Sequence, residues 1–317
     1  MKKRLAAAAC VCAFAALVLC SRQVIQSAEY ALRVCAGLIL PTLFPFFVIS
    51  ILLNRLGLPA WLGSLLSPSL GRLFGVSGAG ISALIIGLTG GYPMGAAYIA
   101  DMLEAGHIDS EEAEHLLCFC NNSGPAFIIS AVGAGVFNSP EAGLVLYLVH
   151  IAAAVITGLM LKREGHTPSF SSVHIESLSF SSAFPGAVRQ AVISALNVCG
   201  FVVCFTVLAG LLDSGGFISG LCGLISANTG LELHWCRALF MGFLELGSGA
   251  GAMQGLSVSP LNVGLAAAML GWGGLSVHFQ TMALLSDSKA KGALHTAGRL
   301  MSASISAMLA YFAAFLL

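Results

Sequence analysis

The chain has 317 residues, 57% of them hydrophobic and 9% charged, with fourteen basic and fourteen acidic residues and a formal net charge of zero. Soluble domains carry roughly 25% charged residues, so this composition excludes an ordinary soluble enzyme and describes an integral membrane protein. Neutrality also removes any bulk field for nucleic acid or for an acidic partner.

In chain order, Met1-Lys2-Lys3-Arg4 precedes an apolar run over 5–19, which has the look of a signal peptide. Leu17-Val18-Leu19-Cys20 imitates a lipoprotein site but lacks the small residue before the cysteine, so the segment is read as an uncleaved first transmembrane helix over 5–20 with a cytoplasmic N-terminus. A spanning helix needs about 20 apolar residues. Further candidates are 34–53, 116–137, 141–161, 190–212, 261–285 and 300–317. Stretches 78–103 and 238–258 have glycine-rich centres, and arms of only about ten residues are too short to span. They read as re-entrant hairpins.

Segment 57–74, with Pro59, Trp61, Pro68 and Arg72 among leucines, reads as an interfacial helix. The acidic stretch 101–115 contains a helix start, with Asp109 as cap and Glu112 at the capping-box position, and is expected to be a solvated face. The serine-rich 162–187 reads as a linker. The resulting division is 1–33 (first helix and connector), 34–161 (first repeat), 162–189 (cytoplasmic linker) and 190–317 (second repeat). This threading places eleven basic residues inside and three outside (Arg22, Arg33, Arg237), as the positive-inside rule requires.

The two halves match at an offset of about 150–160 residues: 34–53 with 190–212, 78–103 with 238–258, and 116–137 with 261–285. Three crossings separate equivalent elements, so the second half is expected to be inverted. The expected fold is therefore an all-α integral membrane protein of inverted repeats, with two re-entrant hairpins and two broken transmembrane helices, enclosing a site near the bilayer midplane.

Each break brings candidate binding residues. The first hairpin tip supplies Gly91, Tyr92 and Pro93, and Pro93 cannot continue a helix without losing a hydrogen bond. Asn121-Asn122-Ser123-Gly124-Pro125 is the sharpest motif: polar groups at membrane depth are costly unless used, and Pro125 suits the first turn of a new half-helix. Glu245 is the sole acid of the second hairpin, with Ser248 beside it; it can hold Na⁺, accept a proton, contact a solute, or simply pair with N–H groups of the opposed tip. The last break, 271–280, brings Gly274, Ser276, His278 and Gln280, and His278 is the candidate proton carrier. No Lys or Arg lies in any of the four breaks; half-helix N-termini are expected to hold an anion. Glycine ladders at 87, 91, 95 and 247, 251, 255 read mainly as helix packing.

The ten cysteines show no CxxC spacing and read as apolar filler. Gly78-Ala79-Gly80-Ile81-Ser82-Ala83 mimics a dinucleotide fingerprint without the strand it needs. No nucleophile–base motif is present, so neither an enzyme nor a cofactor is expected, apart from a coupling ion, H⁺ or Na⁺. The expected partners are a small-molecule substrate, the lipid bilayer and a second copy of the chain, not nucleic acid.

Gly90-Gly91-Tyr92-Pro93-Met94-Gly95-Ala96, the stretch from Leu103-Glu104-Ala105-Gly106 to Glu112-Ala113, and Asn121-Asn122-Ser123-Gly124-Pro125-Ala126-Phe127 resemble the nucleoside-recognition or Gate domain. More narrowly they resemble the YlbJ-type sporulation integral membrane proteins, the stage V family implicated in moving dipicolinate. Gly242-Phe243-Leu244-Glu245 and Gly273-Gly274-Leu275-Ser276-Val277-His278-Phe279-Gln280 look like that family's later motifs, and the resemblance covers roughly 35–315. It implies dipicolinate transport across the outer forespore membrane. Two alternatives stand beside it: a nucleoside-type transporter, and a non-transporting membrane scaffold for spore maturation.

Overall fold

A computed structural model describes residues 2–162, 178–286, 290 and 292–317. Among them the regular structure is entirely helical. Five helices are long and apolar enough to cross a membrane, or six if one bent pair counts as a span. With the lipid-facing apolar residues this makes the chain a multi-pass integral membrane protein.

The elements after α1 (Lys2–Leu19) form two series of seven. The first runs α2 (Ser21–Arg55), α3 (Leu58–Phe74), α4 (Gly78–Gly90), α5 (Met94–Glu104), α6 (Ser110–Phe119), α7 (Ala126–Val136) and α8 (Pro140–Met160). The second runs α9 (Phe180–Ser214), α10 (Phe217–Thr229), α11 (Leu233–Leu244), α12 (Leu246–Ala252), α13 (Pro260–Trp272), α14 (Leu275–Leu284) and α15 (Gly292–Leu316). Packing respects the correspondence. The two 35-residue arms α2 and α9 lie together, α5 meets α14 as α12 meets α7, and α6 meets α15 as α13 meets α8.

Several boundaries differ from the sequence expectation. Residues 21–33 are not a connector but the first turns of α2, and α9 starts at Phe180 with Pro185 inside it, so the linker gives up its last ten residues to helix. The rest of the linker, 163–177, lies outside the described residues. The helix expected at 300–317 begins at Gly292; that shift matters below, because it draws Arg299 into the protein. The last break is confined to Gly273-Gly274, so Ser276, His278 and Gln280 stand on a regular helix. Segment 58–74 bends by 94° into α4 and packs back on it. The Ser82 hydroxyl donates to Pro59 O at 2.9 Å there, while Trp61 stays 59% exposed.

Helix starts follow local chemistry. Ser77 caps α4, accepting from Gly80 N–H, and Asp109 caps α6, accepting from Glu112 N–H at 2.8 Å. Ser139 and Ser259 do the same before Pro140 and Pro260, each proline at a first helical position. The carboxylate of the capping-box residue also reaches beyond its own helix. Glu112 is buried, not solvated, and its carboxylate accepts from Ser77 N–H at 2.6 Å, tying α6 to the start of α4. Glu112→Ala strands that buried donor and is expected to cost about 1–3 kcal/mol. Glu104→Ala on the exposed rim should stay within about 0.5 kcal/mol of wild type; thermal unfolding in detergent compares the two.

Both short pairs fold back on themselves through glycine. A Cβ at Gly95 would lie 3.1 Å from Gly87 Cα, and Gly249 abuts the Gly242 backbone. Gly87 and Gly95 both press on Cys120 O, so the pair α4–α5 is seated directly on the first broken helix.

Candidate functional site

A partly open cavity lies between the first hairpin tip, the first broken helix, the Glu245 turn and α14. Its wall is built in matched pairs. Ile39 and Leu43 of α2 face Val198 and Val202 of α9, each pair 159 residues apart. The tip Gly90-Gly91-Tyr92 is matched by Glu245-Leu246-Gly247. Ser123, Gly124 and Phe127 are matched by Ser276, Val277 and Gln280, all 153 apart. The apolar surface comes mainly from the long arms, and the polar groups from the breaks, which is the usual division in a ligand pocket.

The tips are held by close backbone contact. Gly91 has φ +76°, and a Cβ there would lie 2.6 Å from Gly124 N. Only glycine combines that dihedral with that approach. Gly274, at φ +86°, makes the reciprocal contact in the second half, from the broken helix onto Leu246 N and Glu245 Cα of the tip. Each tip therefore rests on the broken helix of its own half. Tyr92 crosses over: its hydroxyl donates to Leu270 O at 3.3 Å, and it touches Gly273.

Glu245 is 4% exposed and terminates α11. Its carboxylate accepts from Gly247 N–H at 2.8 Å and Ser248 N–H at 2.6 Å, so it caps α12. The donors belong to its own half-helix, not to the opposed tip. A carboxylate at a helix N-terminus is stabilised by the exposed N–H groups and by the helix dipole. Glu245 is also among the residues that line the cavity.

The first broken helix is knotted to the last two elements. Asn121 Nδ2 donates to Thr281 Oγ1 at 2.8 Å, and Asn122 Nδ2 donates to Phe119 O at 2.6 Å. Ser123 N–H donates to His150 Nε2 at 3.1 Å, which places that ring's proton on Nδ1. Arg299, 0% exposed, reaches in from α15. Its Nη1 donates to Asn121 O at 2.9 Å and Asn122 Oδ1 at 3.2 Å, and its Nη2 donates to Gly271 O. The guanidinium carbon lies 5.7 Å from the centre of the Tyr92 ring, within cation–π range.

The sequence candidates thus divide. Gly91, Tyr92, Ser123, Gly124, Glu245, Ser276 and Gln280 line the cavity together, and the amide oxygen of Gln280 has no hydrogen-bond partner among the described residues. Asn121 and Asn122 stand behind the wall, engaged with protein groups. Pro93 shapes the first tip and Pro125 starts α7. Ser248 hydrogen-bonds Thr206 at 2.9 Å, and Gly274 is a packing contact. His278 lies off the cavity, between the rings of Trp272 (4.2 Å) and His295 (4.9 Å) and tilted against both.

Sequence reading missed Arg299, His150 and the four aliphatic wall residues. The absence of a cation from the breaks is true of the breaks themselves, but Arg299 supplies one from a neighbouring helix. Its signal was present: His295, Arg299, Ser302 and Ser306 recur at helical spacing, and all four are fully buried. No group of three or more metal-ligating side chains occurs among the described residues.

Residues 37–161 match the Gate family, described as nucleoside recognition. The chain is 29% identical over 292 residues to the sporulation integral membrane protein YlbJ of Bacillus subtilis (strain 168), covering 83% of this chain and 71% of that protein. No solved structure matches.

Proposed function

We infer that this chain, a relative of the YlbJ-type sporulation membrane proteins with a Gate-type first half, is a secondary transporter for a small aromatic metabolite. One observation carries the reading: the cavity is walled by equivalent residues from both halves, beside the helix breaks. Discontinuous helices around a central site, in two matching halves, are how secondary transporters place polar groups at membrane depth. With three crossings per half, the second series is inverted, α4–α5 and α11–α12 are re-entrant, and the N-terminus is cytoplasmic.

Dipicolinate, moved across the outer forespore membrane, is the substrate we favour. The aliphatic and aromatic wall suits a flat ring, the serines and Gln280 suit its polar edge, and Arg299 behind Tyr92 biases the site toward anions. A nucleoside is the second reading, favoured by Glu245 on the wall, whose carboxylate repels a dianion and accepts hydrogen bonds from a sugar or base.

Proteoliposomes holding the purified chain test this. Labelled dipicolinate should accumulate under an ion gradient, and Gln280→Ala should reduce uptake by about tenfold at unchanged protein abundance. Uptake of uridine but not dipicolinate selects the second reading. Uptake of neither removes the transport reading and leaves a membrane scaffold.

A further inference from the structure

Arg299 occupies an unusual place. Helices α6 and α13 both end at the breaks, and their last carbonyls point away from any helical partner. Helix C-termini carry partial negative charge, and in transporters built on discontinuous helices these carbonyl ends are where a coupling cation is held. Here the carbonyls of Asn121, just past the end of α6, and Gly271, in the last turn of α13, both accept from the one guanidinium. Asn122 Oδ1 is a third oxygen ligand, and the Tyr92 ring faces the same group. Arg299 is fully buried, and no described ion pair joins it to a carboxylate. Its compensation is a ring of oxygens from both halves, the ligand set of a cation site. A diffusible cation at the same place would meet a fixed positive charge and find its ligands taken.

We propose that Arg299 is a tethered cation: its guanidinium permanently fills the place between the two broken helices that a diffusible coupling cation would otherwise take. Arg299 is thereby a positioning residue. It holds both breaks in the geometry that forms the cavity wall, and it makes that geometry independent of Na⁺ and K⁺. Although resting on the transport reading of the same site, this role is measured through stability in defined salts, so its failure and the failure of transport are separate results.

The experiment is thermal unfolding of the full chain in detergent, in NaCl, KCl, guanidinium chloride far below denaturing concentration, and N-methylglucamine chloride at equal ionic strength. The wild-type midpoint should be the same in Na⁺ and N-methylglucamine. Arg299→Ala should lower it by roughly 5–10 °C, and guanidinium or Na⁺, but not N-methylglucamine, should restore at least half of the loss. A saturable stabilisation of the wild type by Na⁺ would overturn the proposal, because a free cation site would then persist. So would an alanine variant destabilised equally in every salt, since Arg299 would then be only a strut. If the alanine variant cannot be purified, Arg299→Lys replaces it. The tethered ammonium should keep the midpoint within about 3 °C of wild type and remain indifferent to Na⁺; a lysine variant that Na⁺ stabilises sinks the idea.

Discussion

Glu245→Ala is expected to lower the stability of the protein by about 2–5 kcal/mol, read as a fall in the thermal midpoint and in detergent-soluble yield. The carboxylate accepts from two buried backbone donors, Gly247 N–H and Ser248 N–H. Alanine leaves both without their protein partner at the start of α12. Glu245→Gln keeps one acceptor oxygen and should recover about half of the loss. The pair of variants separates two roles that the sequence could not. If Glu245 only caps α12, uptake by the glutamine variant should follow its abundance. If the carboxylate also contacts solute or carries a proton, uptake should fall well below abundance. An alanine variant as stable as wild type would refute the cap itself.

Gly87→Ala is the other large effect. An added methyl at Gly87 would overlap Cys120 O, a backbone atom at the start of the first break. Cys120 is held from several sides, with Gly95 pressing on the same oxygen, so relief requires separating α4 from the broken helix. Overpacking of this kind costs about 1–3 kcal/mol where a side chain can yield, and more where only backbone can. We expect about 3 kcal/mol or more, seen as loss of the monodisperse peak in detergent size-exclusion chromatography. Gly37→Ala is the matched control. It lies on α2 with no atom within 4 Å of the added carbon, and it should be neutral or slightly stabilising, since alanine is favoured over glycine in helices. Equal behaviour of the two variants would mean that the glycine contact carries no weight.

Much of this architecture is legible along the chain because lipid is an unforgiving solvent. Apolar runs must be helical, and polar or proline-broken runs must be shielded. Gly90-Gly91-Tyr92-Pro93, Asn121 to Pro125, Glu245 and Gly273-Gly274 therefore announce breaks without any knowledge of packing, and the breaks come in two matching orders. Seven of the fourteen candidate residues do line one cavity. The others stand off the cavity in a consistent way. A polar side chain near a break satisfies either a solute or the orphan groups of the break itself, and composition does not separate the two. Asn121 and Asn122 went to the protein, on Thr281, Phe119 and Arg299, and Ser248 went to Thr206.

Helical membrane class, the positions of the breaks and the need to bury them follow from hydropathy and backbone chemistry, which act locally and are written residue by residue. Which groups meet across the breaks is a long-range matter. Arg299 is 178 residues from Asn121 and 28 from Gly271. Placing its helix start at 300 instead of Gly292 was enough to leave it in solvent. Likewise Ile39 and Val198 are unremarkable aliphatics until α2 and α9 pack and present them to the same cavity. Periodicity tells a residue which face of its helix it occupies; only packing decides what that face meets.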